Sequence, residues 1–306
     1  MNELVLAAWS MTETFGTRLA GVSAPLLLAG LALHTLKLGA RARVWQNVLR
    51  ASLPETRVGF RDAAVPYLAG IGAGVIVPFG GGEVLRVALA RTRLRGRDSS
   101  VSTATIAGSL GVERVLDVAI SAVVIVFALT AGLLPNGVLG GRLAALLHPT
   151  VFGLVGAGIL LIAVAAWRYR HRLAANARAV LRGLVVLRQP RRYLICVATW
   201  QLLAWILRFG SLVLFLDAFH VPSALLVAPV VLSLQLLAGS VPVTPAGAGT
   251  QQALVAAAFG SGALFAFSAG AQLATTVVDL LLALAAVASW RMWPQLRQLR
   301  PAALPA

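Results

Sequence analysis

The sequence predicts an all-α, polytopic membrane protein. Of its 306 residues 59% are hydrophobic and only 12% are charged, whereas roughly 25% of residues are charged in a soluble domain. No Asp, Glu, Lys or Arg occurs from Ala218 to Val278 or from Val118 to Leu134. Since about 20 apolar residues carry a helix across the hydrocarbon, we expect about five full spans. We expect residues 1–306 to form a single membrane domain of the cell membrane.

The basic residues predict the orientation of the chain. The net charge is +16, and its arginines cluster in stretches between apolar runs, which is typical of cytoplasmic loops rather than of nucleic-acid binding. We expect the first span, Leu19 to Leu36, to lead into such a loop, with Trp45 on a helix along the membrane surface. The dense basic stretch Arg168 to Arg192 predicts an amphipathic helix on anionic inner-leaflet lipids. The basic end of the chain predicts a cytoplasmic C-terminus.

The usual signatures of an enzyme or of a metal site are missing from the sequence. No Lys-Ser/Thr pair follows Gly80-Gly81-Gly82, and neither His-Glu-x-x-His nor Gly-x-Ser-x-Gly occurs. The single cysteine, Cys196, and the four scattered histidines offer no metal-ligand spacing. We therefore expect neither catalysis nor a cofactor. Cys196 is expected to be a small core or lipid-facing residue, and His34 is expected to lie at the membrane interface.

A broken apolar element, Ala63 to Ala90, holds the first group of polar residues. Pro78, Gly80 and Gly81 are turn residues, and Gly82, Glu83 and Arg86 follow them. A single crossing would place one of the two flanking basic loops outside the cell. A re-entrant hairpin that enters from the cytoplasm and returns keeps both loops inside, and broken backbone is tolerated where it lines a cavity. We favour the hairpin.

A second broken element, Pro222 to Phe267, resembles the first. Its Pro245, Gly247 and Gly249 repeat the spacing of Pro78, Gly80 and Gly82. It is expected to enter from outside, and each broken element leads to a span with an acidic residue, Asp117 or Asp279. This order predicts an inverted repeat with broken helices that meet at mid-depth. Its parts are a first repeat over about 19–134, a linking span 150–167, the basic surface helix 168–192, and a second repeat over about 193–290.

The alternative is that Pro-Gly pairs recur by chance in a glycine-rich chain, where Gly70 and Gly74 serve only close helix packing. The charges within apolar elements also have two interpretations. They could form internal salt bridges, such as Glu83 with Arg86 or the neighbours Glu113, Arg114 and Asp117 on one helical flank. They could instead leave guanidinium groups to bind phosphate oxygens. The acidic members are Glu83, Glu113, Asp117, Asp217 and Asp279, and the candidate arginines are Arg86, Arg114 and Arg208.

Three short motifs together resemble the flippase-like membrane domain of the lysylphosphatidylglycerol synthases, over nearly the whole chain. In the third motif, Gln251 and Gln252 replace the Arg-Glu pair of the family, which removes two charges from the second hairpin. Gly80 stands where relatives often have a larger or basic residue. The first motif comprises Pro78, Gly82, Glu83 and Arg86, the second Glu113, Arg114 and Asp117, and the third Pro245, Gly247 and Gly249.

The resemblance implies a lipid translocase that moves an anionic or lipid-linked head group between leaflets without nucleotide hydrolysis. It implies no aminoacyl-transferase domain in this chain. Two alternatives remain: a membrane scaffold for a glycosyltransferase or lipid-modifying enzyme, and a small-solute or ion transporter. The expected head-group residues are Gly82, Glu83, Arg86, Glu113, Arg114, Asp117, Arg208, Gly247, Gly249, Gln252 and Asp279, and the expected hinge or turn residues are Pro78, Gly80, Gly81 and Pro245.

Overall fold

The computed structural model describes residues 21–77, 80–96, 98–99, 101–130, 183–185, 190–239, 249–259 and 263–298. All regular structure in these ranges is helical, as the sequence predicts. The helices are α1 (Ala24–Ser52), α2 (Phe60–Ile76), α3 (Gly81–Arg95), α4 (Thr103–Thr130), α5 (Pro190–Tyr193), α6 (Thr199–Ala218), α7 (Ala224–Gly239), α8 (Thr250–Phe259) and α9 (Ala263–Gln298).

Helix α1 continues far beyond the predicted end of the first span at Leu36. It begins with a proline in its first turn and runs unbroken for 29 residues, because no proline occurs between its first turn and Leu53. Lys37 and Arg41 therefore lie within a helix rather than in a cytoplasmic loop. The prediction for Trp45 is also wrong, since its side chain is 0% exposed and lies in the core.

Helices α2 and α3 form a hairpin at the predicted break. Gly80 has the left-handed φ of 79° and caps the start of α3, a conformation that glycine adopts without steric cost. The two helices approach closely at glycines, because a Cβ on Gly82 would lie 2.2 Å from the Gly70 oxygen and 2.8 Å from the Gly74 nitrogen. Pro78 lies outside the described residues. Entry and return through one membrane face stay a prediction.

The second half of the described chain has its own left-handed glycine. Gly249 has φ of 85° directly before α8, as Gly80 has before α3. By backbone conformation Gly80 therefore corresponds to Gly249, whereas the sequence spacing paired Gly80 with Gly247, two residues earlier. Glu83 and Gln252 then take equivalent places, three residues after each turn glycine. Pro245 and Gly247 lie outside the described residues, and the inverted repeat stays a prediction.

Four hydrophobic core clusters hold the described helices together, and two of them are large. One lies between α1, α2, α3 and the start of α4, and the other joins α6 and α7 to the start of α9. Helix α1 packs along α6, and α9 packs against α2. Within the described ranges, Leu194–Ala218 and Leu264–Trp290 are long and apolar enough to cross a membrane, and Ala224–Leu236 is a shorter apolar helix.

Little of the predicted basic surface helix 168–192 is described, and the linking span 150–167 lies outside the described residues. Gly183 is buried. Its carbonyl accepts a hydrogen bond of 3.0 Å from Ser52 Oγ, and a Cβ at this position would lie 2.5 Å from the Thr105 oxygen. At this point the segment packs between α1 and α4, and the place of the basic helix on the membrane surface stays a prediction.

Candidate functional site

The functional side chains gather along one face of α1. His34, Lys37, Arg41 and Trp45 follow one another at intervals of three or four residues, so they project from the same side of the helix. This polar face contacts side chains of α3, α4 and α9. Three charged clusters on α1, α3 and α4 differ in how completely each charge is paired.

The first cluster is the buried ion pair of Arg86 and Glu113. The two terminal nitrogens of Arg86 donate to the Glu113 carboxylate at 2.7 and 3.3 Å, and only 10% and 8% of the two side chains are exposed. The guanidinium carbon lies 3.9 Å from the ring centre of Trp45 and 4.5 Å from that of Tyr67. Arg86 is therefore held on its edge by a carboxylate and on its faces by aromatic rings.

Glu83 pairs with Arg114 across α3 and α4. This pair lies at the protein surface, with 49% of the Glu83 side chain and 68% of the Arg114 side chain exposed. The local pairings that were one alternative from the sequence do not form. Arg86 pairs with Glu113 rather than with Glu83, and Arg114 pairs with Glu83 rather than with Glu113 or Asp117.

Asp117 is the centre of the third cluster. Its carboxylate receives two hydrogen bonds from Arg41, at 3.0 and 2.7 Å. Gln201 donates to it at 2.6 Å and the Trp205 indole at 3.0 Å. Four donors from α1 and α6 thus satisfy this acid from α4. Arg41 thus serves as the partner of a part-buried acid and not as a loop residue.

A polar cavity of about 220 Å³ lies beside these clusters. His34 Nε2 lies 2.8 Å from Asp279 Oδ1, and Lys37 Nζ lies 3.1 Å from His34 Nδ1. His34 is buried among the helices, and its expected place at the membrane interface stays a prediction. The polar lining residues are His34, Lys37, Arg208, Ser211, Gln235, Gln251, Gln272, Thr275, Thr276 and Asp279.

The structure separates the predicted head-group residues. Of those that the structure describes, only Arg208 and Asp279 line this cavity. Gln252 stands next to it, since its amide nitrogen donates to Gln272 at 2.9 Å and its oxygen accepts from the Gly249 nitrogen at 2.7 Å. Gly82 packs against α2, and Gly81 opens α3. Asp217 is exposed at the end of α6.

The sequence interpretation missed His34, Lys37 and Gln235 as cavity residues. The signal for His34 and Lys37 is their helical spacing with Arg41 and Trp45, which is hidden when the basic residues are assigned to a loop. Gln235 is a lone amide in an apolar run, and nothing in its spacing indicates a site. Among the described residues, no group of three or more His, Cys, Asp or Glu side chains could hold a metal ion.

Comparison with known proteins assigns the chain to a family. The model of the "Lysylphosphatidylglycerol synthase TM region" matches residues 4–295, which is nearly the whole of the 306-residue sequence. The comparisons with curated proteins and with solved structures found no match. A membrane location agrees with the family and with the two long apolar helices. The family match confirms the resemblance seen in the three motifs, and the chain belongs to the family of lysylphosphatidylglycerol synthase transmembrane regions.

Proposed function

We propose that this protein is a lipid translocase that moves an anionic or lipid-linked head group between leaflets without nucleotide hydrolysis. The observation that carries the proposal is the cavity lined by Lys37, Arg208 and Asp279. Charged side chains within membrane helices are costly, and those that persist usually face a cavity or a partner. Family membership supports the proposal, because the family is that of the membrane region of a lipid synthase.

The cavity is a better head-group site than the motif residues around Arg86. That guanidinium already binds Glu113 through both terminal nitrogens and is stacked between two rings. Arg208, by contrast, faces the cavity with its guanidinium carbon 5.2 Å from the centre of the Trp205 ring, and it forms no ion pair with a carboxylate among the described residues. Arginine offers a planar fork for phosphate oxygens. In this proposal Arg208 and Lys37 bind the phosphate, and the paired clusters hold the helices in position.

The test is lipid scrambling by the full chain in vesicles that contain a fluorescent phospholipid. We expect the wild-type protein to expose the labelled inner leaflet to an external quencher, and Arg208→Gln to slow this exposure about tenfold, since one charged contact is worth about 1.4 kcal/mol or more. Arg95→Gln is the matched control, because Arg95 is exposed near the end of α3 and outside the cavity. Wild-type vesicles that scramble no faster than protein-free vesicles would refute the proposal.

A second candidate is a membrane scaffold that holds a glycosyltransferase or lipid-modifying enzyme. The observation in its favour is that Arg86 with Glu113 and Arg41 with Asp117 are paired internally, as a purely structural role requires. The scaffold needs no transport. Two results together would support the scaffold over the translocase. Vesicles with this protein would not scramble lipid, and a partner enzyme would lose its activity at the membrane when this protein is removed.

A further inference from the structure

The charge balance of the cavity is the starting point for its substrate class. Its charged lining residues are Lys37, Arg208 and Asp279, with His34 as the other titratable group. Within the described part of the chain, neither Lys37 nor Arg208 lies within ion-pair distance of a carboxylate. The one carboxylate, Asp279, is bonded to His34. Two cations without carboxylate partners therefore face one acid that already has a partner.

The hydrogen bonds of His34 occupy one of the two carboxylate oxygens of Asp279. A protonated Lys37 has only donors, and with Lys37 in that state His34 Nδ1 accepts from it while Nε2 donates the ring proton to Asp279. The chain Lys37–His34–Asp279 is thus complete with a neutral imidazole. The other nearby acid, Asp117, accepts hydrogen bonds from Arg41, Gln201 and Trp205 and does not line the cavity.

The rest of the polar lining consists of neutral groups that both donate and accept hydrogen bonds. Amides come from Gln235, Gln251 and Gln272 and hydroxyls from Thr275 and Thr276. Such groups suit hydroxyls, which also donate and accept. A cationic amine would need acceptors, above all carboxylates, and would meet Lys37 and Arg208 as like charges. Like charges at short range in a poorly solvated site are strongly unfavourable.

The size of the cavity agrees with a small head group. At about 220 Å³ it falls below the roughly 300–1,000 Å³ of pockets that enclose drug-sized ligands. We propose that this cavity selects a phosphodiester head group whose second substituent is uncharged and rich in hydroxyls, such as a glycerol or a sugar, and that it rejects an aminoacylated head group. This inference rests on the proposed function and names the substrate class of the same site.

A comparison between the halves of the chain strengthens the inference. Glu83, three residues after the turn glycine of the first hairpin, forms an ion pair with Arg114 of the next helix. Gln252, three residues after Gly249, instead forms a neutral amide pair with Gln272 of α9. The position after the second turn glycine, next to the cavity, therefore carries a hydrogen-bonding amide, whereas the equivalent position after the first carries a charge.

Binding by the detergent-solubilised full chain tests the selectivity without a transport step. Short-chain phosphatidylglycerol, phosphatidylethanolamine and lysyl-phosphatidylglycerol are titrated separately, and each affinity is measured by calorimetry. We expect phosphatidylglycerol to bind at least about tenfold more tightly than the lysyl ester, with phosphatidylethanolamine between them. Equal or tighter binding of the lysyl ester would overturn the inference.

Two variants and a control connect this preference to the cavity. Arg208→Gln is expected to weaken phosphatidylglycerol binding about tenfold and to reduce the preference. Gln272→Glu keeps an acceptor for Gln252 while it adds a negative charge to the cavity wall, so it should shift the preference towards the lysyl ester by about tenfold. Arg95→Gln should bind like the wild type. A preference unchanged by both cavity variants would place the selectivity elsewhere and overturn the assignment.

The binding and scrambling results separate the two proposals. Selective binding without scrambling would overturn translocation and leave the binding class supported. Scrambling of all three lipids at equal rates, with equal affinities, would overturn the selectivity and leave translocation supported.

Discussion

Arg86 shows how a guanidinium is accommodated deep among helices. The Glu113 carboxylate neutralises it at 2.7 Å, while Trp45 and Tyr67 cover its faces with polarisable rings rather than with aliphatic groups. Removing one partner of such a buried pair leaves an uncompensated charge, which costs far more than the pair itself contributes. The neighbouring pair of Glu83 and Arg114 has the same chemistry but lies at the surface, so it provides a comparison within one protein.

We predict that Glu113→Gln destabilises the protein by about 3–5 kcal/mol, because Arg86 then stays charged and unpaired in the core. The matched change Glu83→Gln should cost about 0–1 kcal/mol, since its partner Arg114 is 68% exposed. Thermal unfolding of the two variants in the same detergent measures the difference. Equal losses of stability for the two variants would show that the buried pair is not special.

At the scale of elements, the glycine contact between α2 and α3 determines how close the two helices approach. Gly82 stands where any Cβ would enter the backbone of α2, at 2.2 Å from the Gly70 oxygen. Small residues allow such close backbone approach in membrane helices. Since α3 carries Arg86 one turn later, this contact also positions the guanidinium between its two rings.

Gly82→Ala is expected to destabilise the protein by about 1–3 kcal/mol, the usual cost of overpacking, because α2 and α3 must move apart. The control is Gly39→Ala in α1, where an added Cβ meets no atom within 4 Å. That change should be neutral or stabilise the protein by up to about 1 kcal/mol, since alanine is the better helix former. Chemical denaturation of both variants tests the contrast, and a neutral Gly82→Ala would contradict the close packing.

The sequence was a good guide to elements and a weaker guide to partners. The break before Gly80 was predictable, because a proline and three glycines in an apolar run have a local steric meaning. The pairing of Arg86 with Glu113 was not, since both charges also had nearer candidates in sequence and only the packing of α3 on α4 decides between them. Lys37 and Arg41 were misread because the rule that basic residues mark cytoplasmic loops competes with helical spacing. The cavity combines residues of α1, α2, α6, α7, α8 and α9, and no local sequence pattern predicts that these helices meet.

At the scale of the whole molecule, the sequence predicts that the two halves are inverted with respect to the membrane. The left-handed glycines Gly80 and Gly249 each precede a helix, and each hairpin is followed by a helix that places an acid against α1, with Asp117 on Arg41 and Asp279 on His34. These parallels fit two related halves. An inverted and a parallel relation give the same order of elements and differ in the side of the membrane on which each hairpin opens.

Cysteine accessibility from the two sides of the membrane decides between these relations. The background variant Cys196→Ser removes the single cysteine. In this background Arg95→Cys marks the open end of the first hairpin, and Leu225→Cys marks the open end of the second. Both positions are exposed. The inverted repeat predicts that a membrane-impermeant thiol reagent labels only Leu225→Cys in intact cells and reaches Arg95→Cys after permeabilisation. The reagent carries fixed charge, so hydrocarbon excludes it and labelling reports the aqueous side. Labelling of both positions from the same side would exclude the inversion, and with it a translocation mechanism in which two opposed hairpins alternate around the cavity.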